Sequence, residues 1–272
     1  MFARVLFPVA LLLAWCLPAH ADKAAAFYYG PNIPWSELSL YDYPVVEPDQ
    51  ADRVPEFVAD QRFYAYVSLG EVLPQRSYFS LIKPQWRLGK NRNWGSWVLD
   101  QSQAELRDIF VEKVFAPLWE AGYRGFFLDT LDSYQLGVTD EEGRQQQREG
   151  LAALINAVSQ RYPDARFIFN RGFELMPMVR AQVDAIAAES LYQRWLPEKE
   201  SYQVVPDPDR EWLLQQFSQL RQRFEVDGIA IDYAPPAERE QARQLARKIA
   251  DHGLIPWVTN PAIDGFGLGV RE

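Results

Sequence analysis

Seven short apolar runs in this chain end in groups that do chemistry. Glu47 and Asp49 follow one, Glu71 the next, and Asp129 and Asp132 a third. Asn170 with Arg171, Glu189, Asp232 with Tyr233, and Asn260 follow the others. A charge directly after a buried run is costly to desolvate unless it is paired or used. A strand-end cap or a salt bridge accounts equally well for any one of them. Two carboxylates close together can divide a reaction between them. One gives a proton to a leaving oxygen, and the other attacks carbon or activates water, as in cleavage of a glycosidic bond. Aromatic rings that bury the C–H faces of sugars suit the same chemistry. Tyr134, Tyr192 and Tyr233 lie past run ends, and Tyr29 closes the first run.

Composition removes most other chemistries. The chain has 272 residues, 2 histidines and 1 cysteine. Residues 1–21 read as an export leader: Arg4, an apolar stretch over 5–17, then Ala19-His20-Ala21 as a small-x-small cleavage site. The apolar stretch is too short for a membrane anchor. Trp15 is too bulky to precede a lipidated Cys16. Cleavage after Ala21 removes Cys16 and His20, leaves His252, and makes residues 22–272 one domain of about 250 residues. That excludes a disulfide framework, a Cys/His zinc site and a Cys–His pair; a Ser-His-Asp triad would need His252. His252 precedes Gly253 at an expected helix end, where a charge–dipole contact is the better reading. The net charge of -9 argues against nucleic acid. No metal and no cofactor is expected. The expected location is secreted or periplasmic, with no stable membrane insertion after cleavage.

The groups must be positioned by strands. Runs at 25–29, 43–46, 63–69, 125–128, 167–169, 185–188, 228–231 and 256–258 are short and apolar, several on consecutive positions. Strands covered on both faces read that way. Between them lie helical stripes: Leu106, Ile109, Phe110, Val114 and Phe115 after a capping box Ser102-Gln103-Ala104-Glu105; Leu151, Leu154, Ile155, Val158 and Tyr162; Ala242, Leu245, Ala246 and Ile249; and a helix over 212–224. Eight strands with intervening helices predict an α/β fold, a single-domain (β/α)8 TIM barrel, whose strand ends share one mouth. A doubly wound open sheet is the alternative, but no Gly-rich phosphate loop follows the first run. The segment 72–97 is the one large insertion. Within it, 83–97 reads as either a polymer groove or a packed strap, and 194–209 as either a lid or an extended connection.

Several motifs carry a resemblance. They are Phe27-Tyr28-Tyr29-Gly30-Pro31, Val45-Val46-Glu47-Pro48-Asp49, Ala65-Tyr66-Val67-Ser68-Leu69-Gly70-Glu71 and Gly125-Phe126-Phe127-Leu128-Asp129-Thr130-Leu131-Asp132-Ser133-Tyr134. Together they resemble glycoside hydrolase family 114, the endo-α-1,4-polygalactosaminidases, from about residue 25 to 261. The resemblance implies a barrel hydrolase acting with retention on galactosamine-containing polysaccharide. It implies Asp129 as nucleophile and Glu189 as acid/base. Tyr29, Asp49, Glu71, Asp132, Tyr134, Asn170, Tyr192, Asp232, Tyr233 and Asn260 then become candidates for binding substrate. The implied partner is a polysaccharide, cationic where de-N-acetylated. No combined deacetylase role is expected of a chain of this extent. Glu189 is expected to rest protonated, beside the Asp129 charge. A hydrolase or transglycosylase of other amino-sugar specificity and a non-catalytic sugar-binding barrel remain the rival readings.

Overall fold

The computed structural model describes residues 23–179, 182–265 and 268. The leader expected over 1–21 lies outside them. The eight apolar runs form eight strands: β1 (Ala25–Tyr28), β2 (Tyr43–Val46), β3 (Tyr64–Ser68), β4 (Gly125–Asp129), β5 (Arg166–Asn170), β6 (Gln182–Glu189), β7 (Asp227–Tyr233) and β8 (Ile255–Thr259). They hydrogen-bond in chain order, each parallel to the next. β8 returns beside β1, so the sheet is a nearly closed (β/α)8 barrel.

The consecutive apolar runs follow from burial on both faces. On β4, Phe127 meets Phe27 of β1 edge-on at 5.2 Å, while Phe126 meets Phe115 of the surrounding helical layer at 4.9 Å. The helix Glu141–Arg161 starts where Asp140 accepts the Gly143 N–H, and it buries Leu151, Leu154, Ile155 and Val158. The helix Arg239–Ala250 buries Ala242, Leu245, Ala246 and Ile249. The helix expected over 212–224 begins earlier, at Asp207.

One cap differs from expectation. The helix Ala104–Phe110 has Gln103 as its N-cap residue, with no side-chain cap bond. The Ser102 hydroxyl donates to Asp100 at 2.6 Å, because a carboxylate is the stronger acceptor. The insertion is a three-stranded antiparallel sheet of Glu71–Val72, Arg87–Asn91 and Ser96–Leu99. It is mostly a packed strap: Trp86 is buried, Arg87 lies over Trp97 at 5.4 Å, and Trp94 stays 65% exposed. At the strand starts, Tyr43 donates to Asp227 and Tyr64 to Asp184, each at 2.5 Å. These polar pairs plug that end of the barrel. The other end carries the candidate site.

Candidate active site

Alternation along the strands decides which side chains enter the mouth. Phe127 points inward, so Asp129, two residues on at the end of β4, does too. Asn170 ends β5 and Glu189 ends β6. Asn170 Nδ2 donates to Asp129 Oδ1 at 2.8 Å and approaches Glu189 Oε1 at 3.4 Å, so one amide joins both carboxylates. Tyr66 of β3 donates to Asp129 Oδ2 at 2.8 Å. Tyr233 of β7 donates to Glu189 Oε2. Burial pushes Asp129 above the ordinary carboxylate range, opposed by donors from Tyr66, Thr130 and Asn170. Burial also raises Glu189, and the Asp129 charge adds to the rise, while the Tyr233 hydroxyl and Arg171 oppose it. Tyr29 sits within electrostatic reach of both; burial and then their charges hold its hydroxyl well above its usual value.

The turns beyond these strands are strained. Thr130 and Arg171 take φ of 62° and 57°, the left-handed region that branched or long side chains avoid. The Gly70 N–H donates to the Thr130 hydroxyl at 2.8 Å. A Cβ on Gly70 would lie 2.0 Å from the Thr130 carbonyl oxygen, so only glycine admits this approach.

The other candidates fall into place individually. Asp132 is half-buried, and its charge acts on Asp129. Asp49 is exposed and paired with Arg76 at 2.6 Å; Arg76 also grips Glu47 through both its terminal nitrogens at 2.8 Å. Glu71 is 4% exposed and bound by Asn91 at 3.0 Å and by Ser96, so it staples the strap sheet instead of facing the pair. Tyr134 is buried and donates to Glu174 at 3.2 Å. Tyr192 turns to His252, hydroxyl to Nε2 at 2.7 Å, which is also where His252 finds its partner. Asn260 holds the following loop, giving 2.6 Å to Asp264 and accepting the Gly265 N–H at 3.0 Å. Asp232 lies one residue from Tyr233 and therefore on the opposite face of β7. It is 0% exposed and accepts the backbone N–H groups of Leu191, Tyr192 and Gln193 at 2.6, 2.9 and 3.1 Å.

Comparison with known proteins decides the family. The model of glycoside-hydrolase family GH114 matches residues 14–272. The chain belongs to glycoside hydrolase family GH114. Among solved structures it resembles the glycoside hydrolase domain of PelA from Pseudomonas aeruginosa. That match has 32% identity and a TM-score of 0.80, over 90% of this chain and 98% of that one. It shares its fold with Ega3 from Aspergillus fumigatus, solved with galactosamine. That match has 13% identity and a TM-score of 0.63, over 89% of this chain and 93% of that one. No curated protein matches. The protein is a glycoside hydrolase whose family acts on polysaccharide.

A cavity of about 390 Å³ opens beside Glu189 in this GH114 hydrolase. It begins at Glu189 and Tyr233 and runs past Arg171 to Arg194, Trp195 and Trp212. Trp212 is 46% exposed and meets Phe173 edge-on at 5.9 Å. The segment 194–209 is therefore neither lid nor plain connection: the hairpin Gln193–Leu196 with Ser201–Val204, followed by the helix start at Asp207, forms one cavity wall. Arg171 stands beside Asn170 at a run end in the sequence, whereas Tyr66 carries no signal of its own there. Arg171 donates to the Glu189 carbonyl at 2.7 Å. Strand alternation puts Tyr66 on the same face as Tyr64 and Ser68, but that alone does not separate a site phenol from a core one. Among the described residues, no group of three or more His, Cys, Asp or Glu side chains is arranged to hold a metal, and no helix is long and apolar enough to cross a membrane.

Proposed function

We propose that this hydrolase is exported and cleaves α-1,4-linked galactosamine or N-acetylgalactosamine polysaccharide within the chain, with retention of configuration. Asp129 is the nucleophile and Glu189 the acid/base. The observation that carries the reading is the shared amide of Asn170. With one nitrogen 2.8 Å from Asp129 Oδ1 and 3.4 Å from Glu189 Oε1, these two oxygens lie no more than about 6.2 Å apart. That bound is compatible with direct attack, for which the two carboxyl groups of a retaining pair stand about 5–5.5 Å apart, against roughly 6.5–9.5 Å for an inverting pair with a water between.

In the first step Asp129 attacks the anomeric carbon as Glu189 passes its proton to the leaving oxygen. In the second, Glu189 takes a proton from water, and the resulting hydroxide releases the sugar from Asp129. Burial raises both carboxyls; donors from Tyr66, Thr130 and Asn170 oppose it at Asp129, while at Glu189 the Asp129 charge adds to the rise against the Tyr233 hydroxyl. The cavity beginning at Glu189 gives the leaving-group sugar a place beside its proton donor. Buried Asn170 Oδ1 and Ser190 Oγ, which have no partner among the described residues, suit sugar hydroxyls or amine protons. The galactosamine in the Ega3 structure supports the sugar class. A net charge of -9 favours approach of a partly de-N-acetylated, cationic polymer.

The test is product analysis on purified galactosamine polymer with the wild type, Asp129→Asn and Glu189→Gln. Wild type should release oligosaccharides whose first-formed reducing ends are α by NMR. Each variant should fold and lose at least about a thousandfold in turnover. β-configured products, or near-normal turnover by either variant, would refute the mechanism. Longer products would indicate transglycosylation.

A further inference from the structure

We propose that Asp232 is a positioning residue for Glu189, holding the main chain after the acid/base from the side of β7 that faces away from substrate. The proposal rests on the assignment of Glu189 above. In the sheet, Glu189 pairs with Ile231, the last rung between β6 and β7. β6 ends there, while β7 continues through Asp232 to Tyr233. Beyond that rung no ladder partner remains for the chain leaving β6. The Asp232 carboxylate takes over, accepting three successive N–H groups from Leu191, Tyr192 and Gln193.

A buried charge held by hydrogen bonds alone, without an ion pair, is an expensive way to finish a strand. Among the described residues, Asp232 has no ion-pair partner. Burial raises its pKa to about 6 against the pull of the three N–H donors. An apolar residue would fill the space at lower cost but leave three donors unmet. Asparagine would offer one acceptor oxygen and turn an NH2 group toward the remaining donors. Only an anion suits this cluster, and its place is two residues past Glu189.

The neighbouring contacts complete the grip. Tyr233, on the opposite face of the same strand, donates to the Glu189 carboxylate. Arg171 donates to the Glu189 carbonyl at 2.7 Å. Gln193 Nε2 donates to the Tyr233 carbonyl at 2.8 Å, tying the held segment back to β7. Adjacent residues of one strand thus fix the side chain of Glu189 from inside the barrel and its onward main chain from outside. A misplacement of about 1 Å at a reacting group costs on the order of a hundredfold in rate. Asp232 itself touches no reacting atom, so its effect passes wholly through Glu189.

The experiment compares substrates with different need for a proton donor. Asp232→Asn, with Asp232→Ser as the second variant, is assayed on galactosamine polymer and on 2,4-dinitrophenyl α-galactosaminide, whose leaving group departs without protonation. Near-UV circular dichroism checks the fold. Glu189 is also titrated by ¹³C NMR of its carboxyl, which requires no substrate. Glu189→Gln on the same two substrates tests the underlying assignment separately: as the proton donor's loss it should abolish polymer cleavage and spare the dinitrophenyl glycoside. The expected result is a roughly hundredfold fall in kcat/KM on polymer, a change below about fivefold on the dinitrophenyl glycoside, and a displaced Glu189 titration. Equal losses on both substrates, or an unmoved Glu189 titration in a folded variant, would overturn the positioning role.

Discussion

Asn170 ties Asp129 to Glu189, yet each carboxylate also has its own phenol, and this makes them separable by experiment. Tyr66 donates to Asp129, and Tyr233 donates to Glu189. Both bonds favour the charged acceptor, so losing either raises that carboxyl's pKa. Under the proposed mechanism the active pair has Asp129 ionised and Glu189 protonated. Asp129 then governs the acidic limb of kcat/KM, and Glu189 the alkaline limb. Tyr66→Phe should move the acidic limb to higher pH, narrowing the profile. Tyr233→Phe should move the alkaline limb to higher pH, widening it. Each should also cost about tenfold in rate, typical of losing a bond to a charged group. Profiles recorded on one substrate decide the matter; a downward shift, or movement of the wrong limb, would contradict the assignment. The same residues mark what the sequence disclosed. Asp129, Asn170 and Glu189 were legible because each closes an apolar run. Asp232 and Tyr233 looked equivalent there, although a period of two must send neighbours to opposite faces. Tyr66 was hidden inside an aromatic strand, where a functional phenol resembles core.

At the scale of elements, the eight strands could be read because burial on both faces leaves consecutive apolar residues. The helix Arg239–Ala250 could be read because its four buried side chains recur at helical spacing. The sheet within 71–99 and the hairpin Gln193–Leu196 with Ser201–Val204 could not. Their strands are short and mixed in polarity, and their pairing depends on contacts such as Glu71 with Ser96. The expected capping box failed because Asp100 competed for Ser102. That turn also exposes a conflict between local preference and packing. Gly150 lies inside the helix Glu141–Arg161, where alanine is favoured by about 1 kcal/mol. A Cβ there would sit 1.9 Å from the Gln101 carbonyl oxygen. Backbone must move to relieve it, and overpacking of this kind costs about 1–3 kcal/mol. Gln101 is itself held in place: its N–H donates to the Gln147 side chain at 2.7 Å, and its side chain donates to the Leu69 carbonyl at 2.6 Å. Gly150→Ala should therefore lower Tm by several degrees in calorimetry, despite the better helix former. A raised Tm would show that helix propensity outweighs the contact.

For the whole molecule, the carboxylates at the mouth are a stability cost carried for the sake of function. Asp129 and Glu189 have folded pKa values raised by burial, so the folded chain holds their protons more tightly than the unfolded chain does. For such an acid, stability is lost as pH rises from the unfolded value, about 3.9 for Asp, through the raised folded value. Below the unfolded value both states are protonated and there is no cost. Above the folded value both are ionised and the cost is complete. Asp129→Asn keeps the shape of the neutral form and can still accept from Tyr66. It should remove activity yet stabilise the barrel by about 0.5–2 kcal/mol at pH 8, as relief of functional strain commonly does. The gain should shrink as pH falls and vanish below about pH 4, where wild-type Asp129 is itself neutral. Denaturant unfolding of both proteins across pH 3.5–8 checks this. A gap that stays constant with pH would place the effect in packing, and a destabilised variant at pH 8 would mean that the bonds to Tyr66 and Asn170 outweigh the burial of the charge.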